Sequence, residues 1–453
     1  MDKPKVYVYW TPTRSDRHKP GVISDASFNL LTAIRSEENF PSDREVIVKP
    51  NLTFPVGREL CIDTDSWHVD GIVRALLGMD LSSDQITVAE AGAGGIYDGT
   101  NIISSPRGME PTFEVGGYRE LADRHQIGLE DSGKMAPYKW IELPPLRYTF
   151  GKTSIPGHRI SRRYFNAFLI SAPILKTHNL PVITGCVKNL MGTINVLERT
   201  LCSYSAQYVE KYGGNCEEVM SQLLLSLFKE ARSDFNVVDG HITKMGSGFF
   251  DGKNYPLGVT LAGKHAYAVD FVSSYLMGFN PEQLIFFQTA RKQGYAPGHI
   301  SDIEVILVQD DDLRPLNRKQ LDLISSPKGY WVKYHRESEE PPATLEEVNP
   351  RIYRRPVFSK DDPALTDGFE DGPDYRADLD HTPGTPDFLS VLEYYEAGRM
   401  KLLKDEPFDP LQDRDIAQDR TYLTDNKPSM PARIQRRAEE IMPMLESFVP
   451  ESV

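Results

Sequence analysis

The sequence predicts an α/β protein with a mostly parallel sheet covered by helices on both faces. Two observations carry that prediction. Over residues 1–310 short apolar runs of strand length alternate with amphipathic stretches. The composition, 40% hydrophobic and 26% charged over 453 residues, is that of a chain that buries a large core.

Val6-Tyr7-Val8-Tyr9 reads as the first strand, with an amphipathic helix over Phe28–Phe40. The β-branched run Val46-Ile47-Val48 is the second, followed by a helix near Trp67–Met79 and then Ile86-Thr87-Val88. A helix over Tyr118–His125 comes next. Ala167-Phe168-Leu169-Ile170, Asn236-Val237-Val238 and Val305-Ile306-Leu307-Val308 are further strands, and helical patterns cover 217–231, 266–277 and 282–293.

Residues 311–453 form a C-terminal extension of different character. From Glu339 to Asp387 it is rich in Pro, Asp and Glu (EEPP, FEDGPD, HTPGTP), a composition that resists a core of its own. It is expected to wrap the main domain as irregular structure, with helices at Phe388–Lys404 and Ala432–Glu446. A structural extension, a lid and an oligomer arm all remain open for it. There is no internal repeat.

The net charge of −14 argues against nucleic acid or an anionic membrane as partner, because the overall field repels phosphates. Cys61, Cys186, Cys202 and Cys216 contain no C-x-x-C pair, which disfavours a zinc knuckle, an iron–sulfur cluster loop and a disulfide framework. The start MDKPKVYVYW lacks the apolar core of a signal peptide, and no stretch reaches the ~18 apolar residues of a bilayer span. A soluble, cytoplasmic protein is the expectation. A homodimer is the commonest assembly on general grounds.

The residues just beyond each strand point to a site. Lys49-Pro50-Asn51 comes after the second strand, Glu90 and the glycine-rich Ala91–Gly95 after the third, Ser171–His178 after the next, and Asp239-Gly240 after the one beyond it. Ligands of open parallel sheets bind beyond the carboxyl ends of the strands, so four strands deliver polar residues to one edge. Lys49 is either a fixed cation for a phosphate or carboxylate or a solvated loop lysine. Gly92, Gly94 and Gly95 offer free N–H groups but do not fit G-x-G-x-x-G, and no G-K-[ST] comes after them. A dinucleotide fold and a P-loop therefore both fail on spacing. Glu90 reads as a general base or metal ligand.

The densest stretch runs from Pro173 to Gly192. Lys176 and Lys188, close together, would lower each other's pKa, which is how a lysine becomes a base or nucleophile near neutral pH. His178 would shuttle a proton or bind metal, or be a hydrogen-bonded structural histidine. Cys186, among apolar neighbours, reads as buried and inert. Asp270, flanked by apolar residues, is expected to pair with one of these lysines. Met245-Gly246-Ser247-Gly248 is a glycine loop over the crevice or a plain turn.

The segments VIVKPNL (46–52), VAEAG (88–92), APILKTHNLPVITGCVKNLMG (172–192), NVVDGH (236–241) and HAYAVDFVSSYLMG (265–278) together resemble the family catalogued as domain of unknown function 362. The resemblance covers about 230 residues, from near 46 to near 280. It implies an α/β domain with these residues at one sheet edge, and it implies no established reaction. Many relatives carry ferredoxin-like iron–sulfur segments beside the domain; this chain has no such cysteine run. The proline-rich extension lies outside the resemblance.

These residues read together as an enzyme acting on a small anionic metabolite. Lys49, Asn51, Lys176 and Lys188 would hold the anion, Glu90 or His178 would move a proton with Lys176, and Asn189 would orient the substrate. A divalent metal on Glu90 and Asp239 is a further reading that ligand spacing does not support. The alternatives are a metal- or metallocofactor-binding redox protein and a non-catalytic ligand-binding protein.

Overall fold

Continuous apolar runs become buried strands. The computed structural model describes residues 3–53, 56–91, 109–132, 135, 137–141, 146–148, 151–153, 158–194, 215–249, 252–309, 312–333 and 344–365. The strands are β1 (Lys5–Trp10), β2 (Val46–Pro50), β3 (Ile86–Glu90), β4 (Gly128–Asp131), β5 (Tyr138–Ile141), β6 (Leu146–Tyr148), β7 (Gly151–Thr153), β8 (His158–Ser161), β9 (Phe168–Ala172), β10 (Ile174–His178), β11 (Val182–Thr184), β12 (Phe235–Met245), β13 (Lys253–Tyr255), β14 (Val259–Gly263), β15 (Glu304–Gln309) and β16 (Asp312–Pro315). The helices are α1 (Pro20–Ile34), α2 (Ser66–Leu77), α3 (Glu110–Val115), α4 (Tyr118–His125), α5 (Arg163–Asn166), α6 (Cys186–Asn189), α7 (Cys216–Glu230), α8 (Ala266–Leu276), α9 (Ile285–Arg291), α10 (Arg318–Ile324) and α11 (Leu345–Val348).

One sheet runs β16-β15-β1-β14-β12-β9-β2-β3-β4, with β10 and β13 branching from β12 and β11 pairing with β10. The pairs β1–β15, β12–β9, β9–β2, β2–β3 and β3–β4 are parallel. β14 lies antiparallel between β1 and β12. The sheet is therefore mixed but mostly parallel, and its central strands β2, β3 and β9 are buried along their whole length. Helices cover both faces. One core joins Leu30 and Leu31 of α1, Val69 and Ile72 of α2 and Leu121 of α4 to Val46 and Val48. The other joins Leu223 and Leu224 of α7 and Phe271 and Val272 of α8 to Ile47 and Val238.

Helix starts follow local chemistry. The Asp65 side chain caps α2 by accepting the Trp67 N–H at 3.0 Å, and Asn215 caps α7 by accepting from Glu217 N at 2.8 Å. α1 differs from the expected Phe28–Phe40. It begins at Pro20, whose fixed φ suits the first turn, and ends at Ile34 before the polar run 35–43.

The expected boundary at 310 falls between β15 and β16, which pair as one antiparallel ladder. Tyr330, Trp331, Val332, Leu345, Ile352 and Phe358 pack into the same core as α7 and α8. Residues 344–365 pack against the domain, with Asn280 N donating to Ile352 O and Phe358 N to Gly329 O. The helices expected at Phe388–Lys404 and Ala432–Glu446 lie outside the described residues. Among the described residues no helix is long and apolar enough to cross a membrane.

Two registers position the polar residues. Lys49 lies beside Ser171 on β9, and Pro50 beside Ala172. β12 continues past the edge of the central sheet and there pairs with β10, so that Ile174 faces Asp239 and Lys176 faces Lys244.

Candidate functional site

Lys49 is an inward-facing residue of β2 rather than a loop lysine, and it is fully buried. A lone ammonium in that position would be strongly unfavourable, and its partner is Glu90 at the end of β3. Lys49 Nζ lies 2.5 Å from Glu90 Oε2, 3.0 Å from Asn189 Oδ1 and 3.2 Å from Pro50 O. Asn189 returns its amide group to Lys49 O and to Ser171 Oγ, both at 2.9 Å. Gly192 closes over this group: a Cβ there would stand 2.2 Å from both Lys49 Nζ and Glu90 Oε1. The K-N-x-x-G spacing thus places an amide and a bare backbone on one buried ion pair.

A second group lies on β10 and the outer part of β12. Lys176 and His178, two apart on β10, share a strand face. The Lys176 ammonium sits 5.0 Å from the Phe249 ring centroid, and the His178 ring meets Phe249 edge-on at 5.7 Å. The glycine turn 245–248 is what delivers Phe249. Burial, with Lys188 and Lys244 adding repulsion against the attraction of Asp63, lowers the Lys176 pKa to about 7. His178 Nδ1 accepts from Leu180 N at 3.1 Å, which leaves Nε2 to carry the proton. Burial and the charges of Lys188 and Lys176 hold the imidazole well below its usual range, so it is neutral. Neighbouring residues of α6 join the two groups: Asn189 belongs to the Lys49 pair and Lys188 acts on Lys176 and His178.

Residues 58–65, ahead of α2, cover the second group. Lys176 Nζ donates to Ile62 O at 2.5 Å, and Lys244 Nζ to Leu60 O at 2.8 Å and Asn254 Oδ1 at 3.1 Å. Asn254 Nδ2 donates to Glu59 O. The base of the segment is closed by Arg58, whose Nη2 lies 2.6 Å from Asp65 Oδ2. Asp239 serves the same base, with Oδ2 accepting from Asp65 N at 3.1 Å and Oδ1 from His241 N at 3.3 Å. Burial, and then the charge of Asp65, raise the Asp239 pKa to about 7 despite these bonds.

Asp270 does not take the lysine partner expected of it. Its carboxylate accepts the Cys186 and Val187 N–H groups at 2.7 and 3.1 Å, capping the turn that carries Lys188 and Asn189. A Cβ on Gly185 would lie 2.2 Å from Asp270 Oδ1, which explains a glycine before Cys186. Cys186 is buried, and burial pushes its thiol pKa up.

Of the residues singled out from sequence, the structure brings Lys49, Glu90 and Asn189 together, and Lys176, His178 and Lys188 together. Asn51 stands at the rim, its amide on Thr53 Oγ1 and its N–H on Thr64 Oγ1. Glu90 and Asp239 are not brought together: β9 and β2 separate their strands, and each has its own partners, Lys49 for the one and backbone N–H groups for the other. Among the described residues no group of three His, Cys, Asp or Glu side chains could hold a metal ion. Gly92, Gly94 and Gly95 lie outside the described residues. Lys244, Asp63 and Phe249 escape sequence reasoning, and only the register of β12 on β10 reveals Lys244.

The family model described as Domain of unknown function (DUF362) matches residues 46–274. The relative "Thylakoid-associated protein sll1697" of Synechocystis sp. is 25% identical over 289 residues, 63% of this chain and 79% of that protein. Two solved structures are similar at 12% identity. A Thermotoga maritima protein has a TM-score of 0.30, covering 49% of this chain and 51% of its own. The lactate racemase apoprotein of Thermoanaerobacterium thermosaccharolyticum has a TM-score of 0.34, covering 60% and 57%. This chain thus spans little more than half the length of either.

Proposed function

The chain belongs to the domain of unknown function 362 (DUF362) family, and from that premise and the chemistry of its strand ends we propose that it is an enzyme acting on a small carboxylate- or phosphate-bearing metabolite by lysine-assisted acid–base chemistry. The observation that carries this reading is the gathering of Lys176, Lys188 and Lys244 beside a neutral His178, with the Lys176 pKa lowered to about 7. An amine that exchanges its proton near neutral pH is suited to general acid–base work. The neighbouring ammonium groups supply the charge that holds an anion and stabilises negative charge developing on it. His178 contributes as a hydrogen-bond donor through Nε2, since its Nδ1 is already occupied. Lys49, Glu90 and Asn189 form the rigid floor that fixes Lys188 through α6, and Asn51 lines the rim.

The test is native mass spectrometry of gently purified protein to identify a bound anion, followed by turnover assays with it. Lys176→Met and His178→Asn, checked for folding by near-ultraviolet circular dichroism, should lose turnover, Lys176→Met by about 10²–10⁴-fold. Full turnover in both folded variants would show that the roles are misassigned.

A further inference from the structure

The groups that would meet a substrate are covered. Lys176 and Lys244 are each 2% exposed and His178 is 4% exposed. Among the described residues, Glu59–Asp63 covers the two lysines through Leu60 O and Ile62 O, and Phe249 packs on Lys176 and His178. That segment is attached in an unusual way. Each site lysine donates to one of its backbone carbonyls, Lys176 to Ile62 O and Lys244 to Leu60 O, with Lys244 also donating to Asn254 Oδ1.

It is also held by Asn254 Nδ2, which donates to Glu59 O at 3.0 Å, and by Thr53 N, which donates to Asp63 Oδ1 at 2.5 Å. Val56 and Ile62, with Leu60 and Phe249, form an apolar cluster separate from the two main cores, and Cys61 packs with Ile174 and Ile242 in another. Cys61 has φ +49°, a left-handed conformation that is unfavourable for a residue bearing a side chain. The Arg58–Asp65 ion pair clamps the base, so the tip can swing while the ends of the segment stay in place.

We propose that Glu59–Asp63 is a substrate-mimicking lid: the Leu60 and Ile62 carbonyl oxygens occupy, on Lys244 and Lys176, the positions that oxygens of a small, multiply charged anion take when it displaces the segment. This rests on the anion-site reading of the proposed function and adds Lys244 to that site. A carbonyl is a neutral acceptor, whereas a carboxylate or phosphate oxygen adds the attraction of a full opposite charge to its bond with the ammonium group. The exchange is therefore favoured by the anion and opposed by the apolar latch.

Cys61 is a built-in reporter, because its thiol is buried while the lid is down and Cys186 is a buried thiol away from the lid. The experiment is peptide-resolved iodoacetamide alkylation of the full chain, with inorganic phosphate or oxalate compared against chloride at equal ionic strength. Anion binding is followed in parallel by thermal melting. The expected result is a severalfold faster alkylation of Cys61 in at least one anion, with Cys186 unchanged. Lys244→Met, which keeps the aliphatic stem, should label faster at Cys61 without anion and respond less to it. If an anion raises the melting temperature but leaves Cys61 labelling unchanged or slower, the lid is refuted while the anion site stands. If neither anion changes melting or labelling, both the lid and the anion reading fall.

Discussion

Lys49 Nζ and Glu90 Oε2 meet at 2.5 Å with the lysine fully buried and the glutamate 2% exposed, on adjacent parallel strands. Taking both charges out of water is costly, and the pair holds because each is the other's compensation, with Asn189 and the Ala91 N–H satisfying what remains.

Lys49→Met should destabilise the fold by about 3–5 kcal/mol, since it leaves Glu90 as an uncompensated buried carboxylate. Adding Glu90→Gln should restore part of that loss. Urea denaturation of the two single variants and the double variant measures the coupling. Strictly additive effects would mean that the pair is not a unit.

Gly192→Ala places a methyl group 2.2 Å from Lys49 Nζ and Glu90 Oε1. Overpacking of this kind costs about 1–3 kcal/mol, and here it also pries the ion pair apart. Gly294, where a Cβ meets nothing within 4 Å, has φ +77° and serves as the comparison for backbone strain alone. Melting curves should show Gly192→Ala as the more damaging change.

Glu217 is buried and accepts the Ile285 N–H at 3.0 Å, and burial raises its pKa from an ordinary 4.5 to about 7. A carboxyl raised in the folded state binds its proton more tightly there than in the unfolded chain. Its contribution is fully present below pH 4.5 and is lost as pH rises through about 7. Glu217→Gln keeps the acceptor oxygen and removes the charge, so stability should decline less between those limits. An unchanged slope in denaturation midpoints across the window would contradict the assignment.

Lys188 and Asp63 act on Lys176 with opposite sign. Lys188→Gln removes a repelling cation and should raise the Lys176 pKa, whereas Asp63→Asn removes an attracting anion and should lower it further. The pH dependence of Lys176 labelling by a small amine-reactive ester, resolved by peptide mass, reads both. Shifts in the same direction would break the electrostatic picture.

Much of the central sheet is legible in the sequence because parallel strands buried on both faces are continuous apolar runs, as in Val46–Val48 and Phe168–Ile170. β10 and β11 are not, because Ile174–His178 carries a lysine and a histidine that look like loop residues until the cover is seen. The antiparallel insertion of β14 depends on non-local pairing, which no window of Val259–Gly263 encodes. Lys244 sits in an undistinguished stretch of β12 and becomes a site residue only through its register opposite Lys176. Asp270 shows the reverse case: its burial is legible, but its partners are backbone N–H groups, which leave no trace in side-chain patterning.

The most direct measurement is the titration of the Lys176 side chain itself by NMR of protein carrying ¹³C-labelled lysine, with Lys176→Arg identifying the signal. A midpoint near 7 that rises when phosphate is added is the expected result, because an incoming anion favours the charged amine. A midpoint close to 10.5, the ordinary lysine value, unmoved by anions, would contradict an acid–base lysine at these strand ends.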